Sequence, residues 1–214
     1  MVGRAVLAIS RGLVHPSPFS RAAFAAAVRG AGFPTEFHAS TRAFRGLAPG
    51  RHAAAVAFFH SKRIRAADID ALEAFVAAGG GFLAMHGAFA SGKAEPRWAA
   101  LLGAAFDGHE RPTKLAVGPS ADPGPFAGIP PFVATDELYR VRPVGPLEPR
   151  FSAIPAGGGA AAMPILWTRS HGRGRVCCFT LGHAAATLRL SAARQIIARA
   201  LAWVSATEEV RHGA

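Results

Sequence analysis

Two histidines of this chain each follow an apolar run with the length and composition of a buried strand. His86 follows residues 81–85 and precedes a glycine, and His183 follows residues 176–182, which end in a glycine. α/β sheets present ligand-binding side chains at the carboxyl ends of their strands. Because the charge of histidine changes near neutral pH, the spacing predicts that His86 and His183 act together in acid–base catalysis.

Two adjacent acids, Asp136 and Glu137, offer the carboxylate that such a pair of histidines needs. Neighbouring residues of an extended segment point to opposite sides, so only one of the two faces a shared pocket. A carboxylate beside a histidine is a workable set for proton transfer at neutral pH. We therefore predict Glu137 or Asp136 as a catalytic residue. The alternative, that both acids only pair with arginines or cap local structure, stays open at this point.

A metal site is a second use for the histidines. His60, His86, His109 and His183 all lie at or just after predicted strand ends. Three converging imidazoles could hold zinc or a similar ion with one open position. No H-x-x-x-H or C-x-x-C spacing supports this arrangement. No cofactor is therefore certain, and a divalent metal ion remains an open alternative.

Apolar runs alternate with amphipathic segments along most of the chain, which is typical of an α/β fold. We predict one three-layer domain over residues 1–214, with a mostly parallel sheet flanked by helices. The middle region, residues 101–155, is rich in proline and glycine and predicts a strand and loop extension over the site. The predicted parallel strands are 4–9, 54–59, 82–85 and 176–180, and the predicted helices are 19–31, 67–78 and 191–204.

Three segments, taken in order, resemble the ThuA-like family of trehalose-utilisation proteins. They are Trp98 to His109 (W…L-L-G…F…H), Asp136 to Tyr139 (D-E-L-Y), and Pro164 to His183, which contains W-T, G-R-G-R-V and L-G-H. The resemblance implies a fold similar to class I glutamine amidotransferases, related to flavodoxin. It also implies carbohydrate metabolism, with trehalose or an oxidised (keto) glycoside as the small-molecule partner. The expected substrate-binding residues are His15, His109, Tyr139, Trp167 and Arg169, although a core position is favoured over sugar stacking for Trp167.

The chain departs from the amidotransferases at two positions that carry their chemistry. His86 stands where those enzymes have the catalytic cysteine, and Ala185 stands where they have the glutamate that completes the triad. Without a thiolate there is no acyl-enzyme route, so we expect no glutaminase activity. The two cysteines, Cys177 and Cys178, are neighbours on one predicted strand and are expected to be structural.

Two classes of function fit these residues. The first is an enzyme acting on a sugar derivative as a hydrolase, lyase or isomerase. The second is a catalytically silent module that binds a carbohydrate or a protein on an amidotransferase-like scaffold. The two differ in whether His86, His183 and one of the acids meet in one open cleft.

The composition of the chain argues against two further classes, nucleic-acid-binding proteins and membrane-spanning proteins. The net charge of +11 comes from 24 basic residues, of which only Lys62, Lys93 and Lys114 are lysines, and these residues form no basic run. This distribution, with a single tyrosine, argues against a nucleic-acid partner. Mean hydropathy is +0.23, but no window of eighteen uncharged apolar residues occurs, so we expect no membrane span. We expect a cytoplasmic protein, and whether it forms homo-oligomers is left open.

Overall fold

A nine-stranded sheet forms the middle layer of the protein, whose computed structural model describes residues 3–12, 16–157 and 161–206. Within these ranges, a separate two-stranded sheet and five α-helices accompany it. The strands are β1 (Ala5–Arg11), β2 (Thr35–His38), β3 (His52–Phe59), β4 (Gly81–Met85), β5 (Ala104–His109), β6 (Thr113–Pro119), β7 (Phe132–Asp136), β8 (Tyr139–Pro143), β9 (Glu148–Pro155), β10 (Met163–His171) and β11 (Gly174–Phe179). The helices are α1 (Pro18–Gly30), α2 (Ala66–Ala77), α3 (Pro96–Leu102), α4 (Ala185–Arg189) and α5 (Ser191–Ser205).

The first half of the sheet is parallel, in the order β2-β1-β3-β4-β11. All eight residues of β3 and all five of β4 are buried, as expected for strands covered by helices on both faces. The four predicted parallel strands are confirmed and are mutually adjacent in this half. Since the strands run in one direction, the carboxyl ends of β3, β4 and β11 lie at one edge of the sheet.

The second half is antiparallel, which corrects the prediction of a mostly parallel sheet. From β11 the order continues through β10, β9, β6 and β7, and each of these neighbours pairs antiparallel. Four of the eight pairings between the described strands of this sheet are therefore antiparallel. The physical reason lies in the connections: β10 and β11 join through a tight turn at Gly172, where φ is +59°, and such a hairpin joins antiparallel strands only.

Helices cover the parallel half from two sides. α1, α4 and α5 pack on one face through residues such as Phe24, Leu188 and Ile197, and α2 and α3 pack on the other through residues such as Leu72 and Leu101. The hydroxyl of Ser17 caps α1 by accepting from Ser20 N. None of the helices within the described residues is long and apolar enough to cross a membrane.

Strands β5 and β8 form the separate two-stranded sheet on the α2–α3 side. They come from the middle region for which strands and loops were predicted. Their pairing brings His109, the last residue of β5, directly opposite Tyr139, the first residue of β8. This small sheet thereby places His109 and Tyr139 beside each other, although they belong to two separate segments of the sequence, Trp98 to His109 and Asp136 to Tyr139.

We expect neither cysteine to react with a thiol reagent in the native protein. Both side chains are completely buried on β11, and burial raises the pKa of Cys177 and of Cys178, so the reactive thiolate does not form. Titration with Ellman's reagent should label no thiol in buffer and two thiols in urea. Stoichiometric labelling before unfolding would contradict this expectation.

Candidate active site

His86 lies at the point where β4 ends and the chain turns sharply into a 3₁₀ turn, His86–Ala88. Its φ of +42° makes it the one non-glycine residue in the described ranges with a left-handed backbone. Such strain costs about 1–3 kcal/mol and is found mainly at functional sites. The next residue must be small, because a Cβ on Gly87 would lie 2.9 Å from the Phe59 carbonyl oxygen. The turn therefore fixes the His86 imidazole at the carboxyl edge of the sheet.

The hydrogen bonds of His86 determine its tautomer. Nδ1 lies 2.9 Å from the carbonyl oxygen of Thr180, which can only accept, so Nδ1 carries a proton. The Tyr139 hydroxyl lies 3.1 Å from the other ring nitrogen, Nε2, and also hydrogen-bonds the Glu137 carboxylate. The two rings are stacked with centroids 4.9 Å apart. His86 therefore holds the tyrosine hydroxyl in a fixed position.

Asp136 holds the loop that carries His183. Its carboxylate accepts hydrogen bonds from the backbone nitrogens of Glu137, Gly182, His183 and Ala184, at 2.9–3.4 Å. Gly182 has φ +139°, and a Cβ there would lie 3.3 Å from the Cβ of His86, so only glycine brings the loop this close. Burial raises the pKa of Asp136, against the effect of these hydrogen bonds.

Glu137 is the carboxylate around which three histidines converge. Its oxygens lie 3.2 Å from His183 Nδ1, 3.5 Å from His109 Nδ1 and 3.7 Å from His86 Nε2. Burial raises the pKa of Glu137, the positive forms of His183 and His109 lower it, and Asp136 raises it further. The net direction is upward, which brings this carboxyl closer to the pH at which it can both take up and release a proton.

A pocket of about 430 Å³ opens over this cluster. Its wall includes Glu137, Tyr139 and His109 together with His60, Lys93 and Arg140. Burial raises the pKa of Tyr139 well above its usual range, and the neighbouring Glu137 raises it further, so the hydroxyl stays protonated. Burial and the charge of Lys93 lower the pKa of His60, which favours the neutral imidazole. The pocket therefore presents one carboxylate, two imidazoles, a phenol and two cations to a ligand.

The structure brings His86, His183, Asp136 and Glu137 together, but two of them, His86 and Asp136, have different roles from those predicted. His86 and His183 lie with ring centroids 5.7 Å apart and share Glu137. His86 is completely buried beneath Tyr139 and, like His183, does not line the pocket, so the two histidines do not meet a ligand there as a catalytic pair. Asp136 is also completely buried, and both its oxygens serve the loop, so it cannot act on a ligand. Of the two adjacent acids, only Glu137 faces the pocket, as their alternation predicts.

The predicted metal set is only partly assembled. Within the described residues, the group spaced to hold an ion is His86, Glu137 and His183, whose donor atoms all lie within 4.8 Å of one another. Two imidazoles and a carboxylate are a donor set that zinc accepts. His60 and His109 do not belong to this group. Because the Tyr139 hydroxyl occupies His86 Nε2, an ion there would have to displace it.

Three predicted substrate-binding residues are not placed in the pocket. Trp167 is completely buried, donates from Nε1 to the Leu102 carbonyl and packs edge-on against Phe89, so it is a core residue and cannot stack on a sugar. Arg169 donates to the Ala100 carbonyl at the end of α3 and does not line the pocket. His15 lies outside the described residues.

Lys93 and Arg140 line the pocket and were missed from the sequence. Lys93 lies in the segment between the His86 turn and α3, with its ammonium 4.4 Å from the centre of the Phe106 ring. Arg140 directly follows Tyr139 and pairs with Glu110. The signal for Arg140 was its place beside the D-E-L-Y segment, whereas nothing local distinguishes Lys93 from a solvated lysine.

Comparison with known proteins agrees with this architecture. A family model described as "ThuA: Trehalose utilisation" matches residues 5–204. A putative ThuA-like protein from Bacteroides uniformis ATCC 8492 superposes with a TM-score of 0.76 at 19% identity, covering 95% of this chain and 92% of that one. A putative ThuA-like protein from Parabacteroides merdae ATCC 43184 gives a TM-score of 0.78 at 18% identity, over 94% of this chain and 89% of that one.

The same fold also occurs inside a larger enzyme. A β-galactosidase from the haloarchaeon Halorubrum lacusprofundi superposes with a TM-score of 0.64 at 18% identity, over 91% of this chain but only 30% of that one. No curated protein matches this chain at a significant level. At these identities the solved structures establish the fold alone.

Proposed function

Since the chain belongs to the ThuA (trehalose utilisation) family, we propose that it catalyses proton transfer on a sugar derivative, an oxidised (keto) glycoside, in carbohydrate metabolism. The observation that carries the proposal is the position of Glu137. It is a nearly buried carboxylate with a raised pKa, contacted by His183 and His109 and open to a pocket of about 430 Å³.

The donor set favours proton abstraction over direct glycoside hydrolysis. Glycosidases that follow the common mechanism need two carboxylates flanking the bond, about 5–9.5 Å apart. Here the second nearby acid, Asp136, is occupied by four backbone N–H groups. A single base with imidazole acids beside it suits removal of a proton from the carbon next to a carbonyl, which the keto group makes acidic.

Each residue then has a distinct part. Glu137 in its ionised form takes the proton, and His109, which lines the pocket, is the acid that stabilises or protonates the resulting enolate oxygen. His183, 3.2 Å from Glu137, orients the base. The Tyr139 hydroxyl, held by His86, fixes the geometry beside the base. Lys93 and Arg140 add positive charge to the pocket wall, which favours the negative charge that develops on the sugar. His86 and Asp136 are positioning residues.

A ligand screen tests the proposal with the intact protein. Trehalose, glucose and their keto derivatives would be compared by thermal shift, with and without added divalent metal ions, in the wild type and in His183→Ala. We expect a keto sugar to raise the melting temperature and to be turned over by the wild type. His183→Ala should lose turnover while its stability changes by no more than about 1–2 kcal/mol. Metal content measured on the same preparations decides whether His86, Glu137 and His183 hold an ion.

The pH dependence of turnover should move when His109 is removed. The acidic limb of kcat/KM reports the pKa of the free base, which burial places above the ordinary glutamate value of 4.5. Because the positive form of His109 lowers the pKa of Glu137, His109→Ala should shift this limb to higher pH. His38→Ala, an exposed histidine paired with Glu36, is the control and should leave it in place. If the acidic limb of kcat/KM did not shift in His109→Ala, or shifted to lower pH, Glu137 would not be the titrating base.

A catalytically silent sugar-binding module is the second candidate. The observation that favours it is the occurrence of this fold as 30% of a β-galactosidase chain. Under this alternative, sugars bind to the pocket and no substrate is consumed. The screen separates the two, because a stabilising sugar that is recovered unchanged supports the module.

A further inference from the structure

Four arginines converge on a second, smaller pocket at the carboxyl edge of the sheet. Arg11 is the last residue of β1, Arg42 lies in the 3₁₀ turn Thr41–Gly46, and Arg63 and Arg65 lie between β3 and α2. They come from three separate segments of the chain. All four line one cavity of about 160 Å³.

These arginines have no counter-charge of their own. None of the four guanidinium groups forms an ion pair or a side-chain hydrogen bond within residues 3–12, 16–157 and 161–206. The nearest carboxylate in the lining, Asp68, is already used by the Thr41 hydroxyl and by Arg45 Nε, each at 2.7 Å. Elsewhere in the protein Arg51, Arg97 and Arg150 are each paired with a glutamate or an aspartate. The cluster therefore concentrates positive charge that the described chain does not neutralise.

The size and polarity of the cavity indicate the ligand. Pockets for whole sugars or drug-sized molecules are about 300–1,000 Å³, so 160 Å³ suits a smaller group. Arginine is the side chain that best matches the oxygens of a phosphate, because its planar fork donates two parallel hydrogen bonds. Ser40 adds a hydroxyl to the same lining, and this hydroxyl accepts from Arg42 N, which leaves its own proton for a ligand. We infer that Arg11, Arg42, Arg63 and Arg65 bind a phosphate group, either as inorganic phosphate or as a phosphate monoester.

The place of this arginine pocket in the fold is consistent with the inference. Phe59 and Ser61 line the arginine pocket, whereas His60, between them, lines the pocket over Glu137. The two pockets are thus lined by consecutive residues at the end of β3 and just after it. This adjacency is the reason for testing glucose 6-phosphate beside inorganic phosphate. The arginine site itself does not depend on the proton-transfer proposal.

Calorimetric titration at low ionic strength tests the site with three probes: inorganic phosphate, glucose 6-phosphate and glucose. The test variant is Arg42→Glu/Arg63→Glu. The matched control is Arg189→Glu/Arg194→Glu, which makes the same change in net charge on α4 and α5, on the opposite face of the sheet. All four positions are exposed, so neither double variant removes core packing.

We expect the wild type and the control to bind phosphate with affinities within about twofold of each other. The test variant should bind at least about tenfold more weakly, since it loses charge-assisted hydrogen bonds and adds two negative charges that repel the phosphate. Tighter binding of glucose 6-phosphate than of phosphate would identify a phosphorylated sugar as the ligand, and equal binding would identify free phosphate. The inference is overturned if the wild type binds neither, or if both double variants weaken binding alike.

Discussion

Glu137→Gln should lower kcat/KM by about 10²–10⁴, the usual contribution of a positioned general base. The amide has the shape of the carboxylate but cannot accept the proton, so the pocket keeps its form and loses its base. His183 and His109, 3.2 and 3.5 Å away, lose their negative partner. Steady-state kinetics on the keto sugar identified by the ligand screen measures this loss.

Glu110→Gln is the matched control for that substitution. Its carboxylate is 82% exposed and pairs with Arg140, next to the pocket but outside the cluster. The control should keep kcat/KM within about threefold, because an exposed ion pair contributes at most about 1 kcal/mol. If Glu137→Gln retained as much activity as Glu110→Gln, Glu137 would not be the base.

Asp136→Ala should lower the free energy of unfolding by about 3–5 kcal/mol, because it leaves several buried donors without an acceptor. The carboxylate accepts from four backbone nitrogens, three of them in the loop of Gly182, His183 and Ala184. Urea unfolding measures the change. The variant should also lose turnover, since His183 is no longer held against Glu137.

Asp107→Ala provides the comparison, because Asp107 is an exposed residue of β5. Its unfolding free energy should change by no more than about 0.5 kcal/mol. A cost below about 1 kcal/mol for Asp136→Ala would mean that the loop is held by other contacts, and Asp136 would then have no positioning role.

The parallel half of the sheet could be predicted from the sequence because nearly all residues of its central strands lie in the same environment, the buried core. Strands such as β3 and β4 are buried on both faces, so they read as uninterrupted apolar runs, and α2 ends at the glycines that follow it. His86 and His183 could be predicted for the same reason, since each closes such a run.

The antiparallel half, and the contacts that hold the histidines of the site in place, could not be predicted in this way. Strands β6, β7 and β9 alternate between buried and exposed residues, and β6 and β9 also contain proline or glycine, so their pairing depends on distant partners. The burial of His86 beneath Tyr139 depends on the ribbon of β5 and β8, which joins residues 30 to 39 positions apart. The capture of the His183 loop by Asp136 likewise spans 46 to 48 residues of sequence.

Hydrogen exchange from solvent into the sugar is the most direct test of the central claim that Glu137 moves a proton. Keto derivatives of trehalose and of glucose would be incubated with the protein in D₂O, and the signal of the C–H next to the keto group followed by proton NMR. The account predicts that the wild type and Glu110→Gln replace this hydrogen with deuterium, and that Glu137→Gln does so no faster than buffer. Exchange in Glu137→Gln at the wild-type rate, or no exchange in the wild type with either sugar, would contradict it.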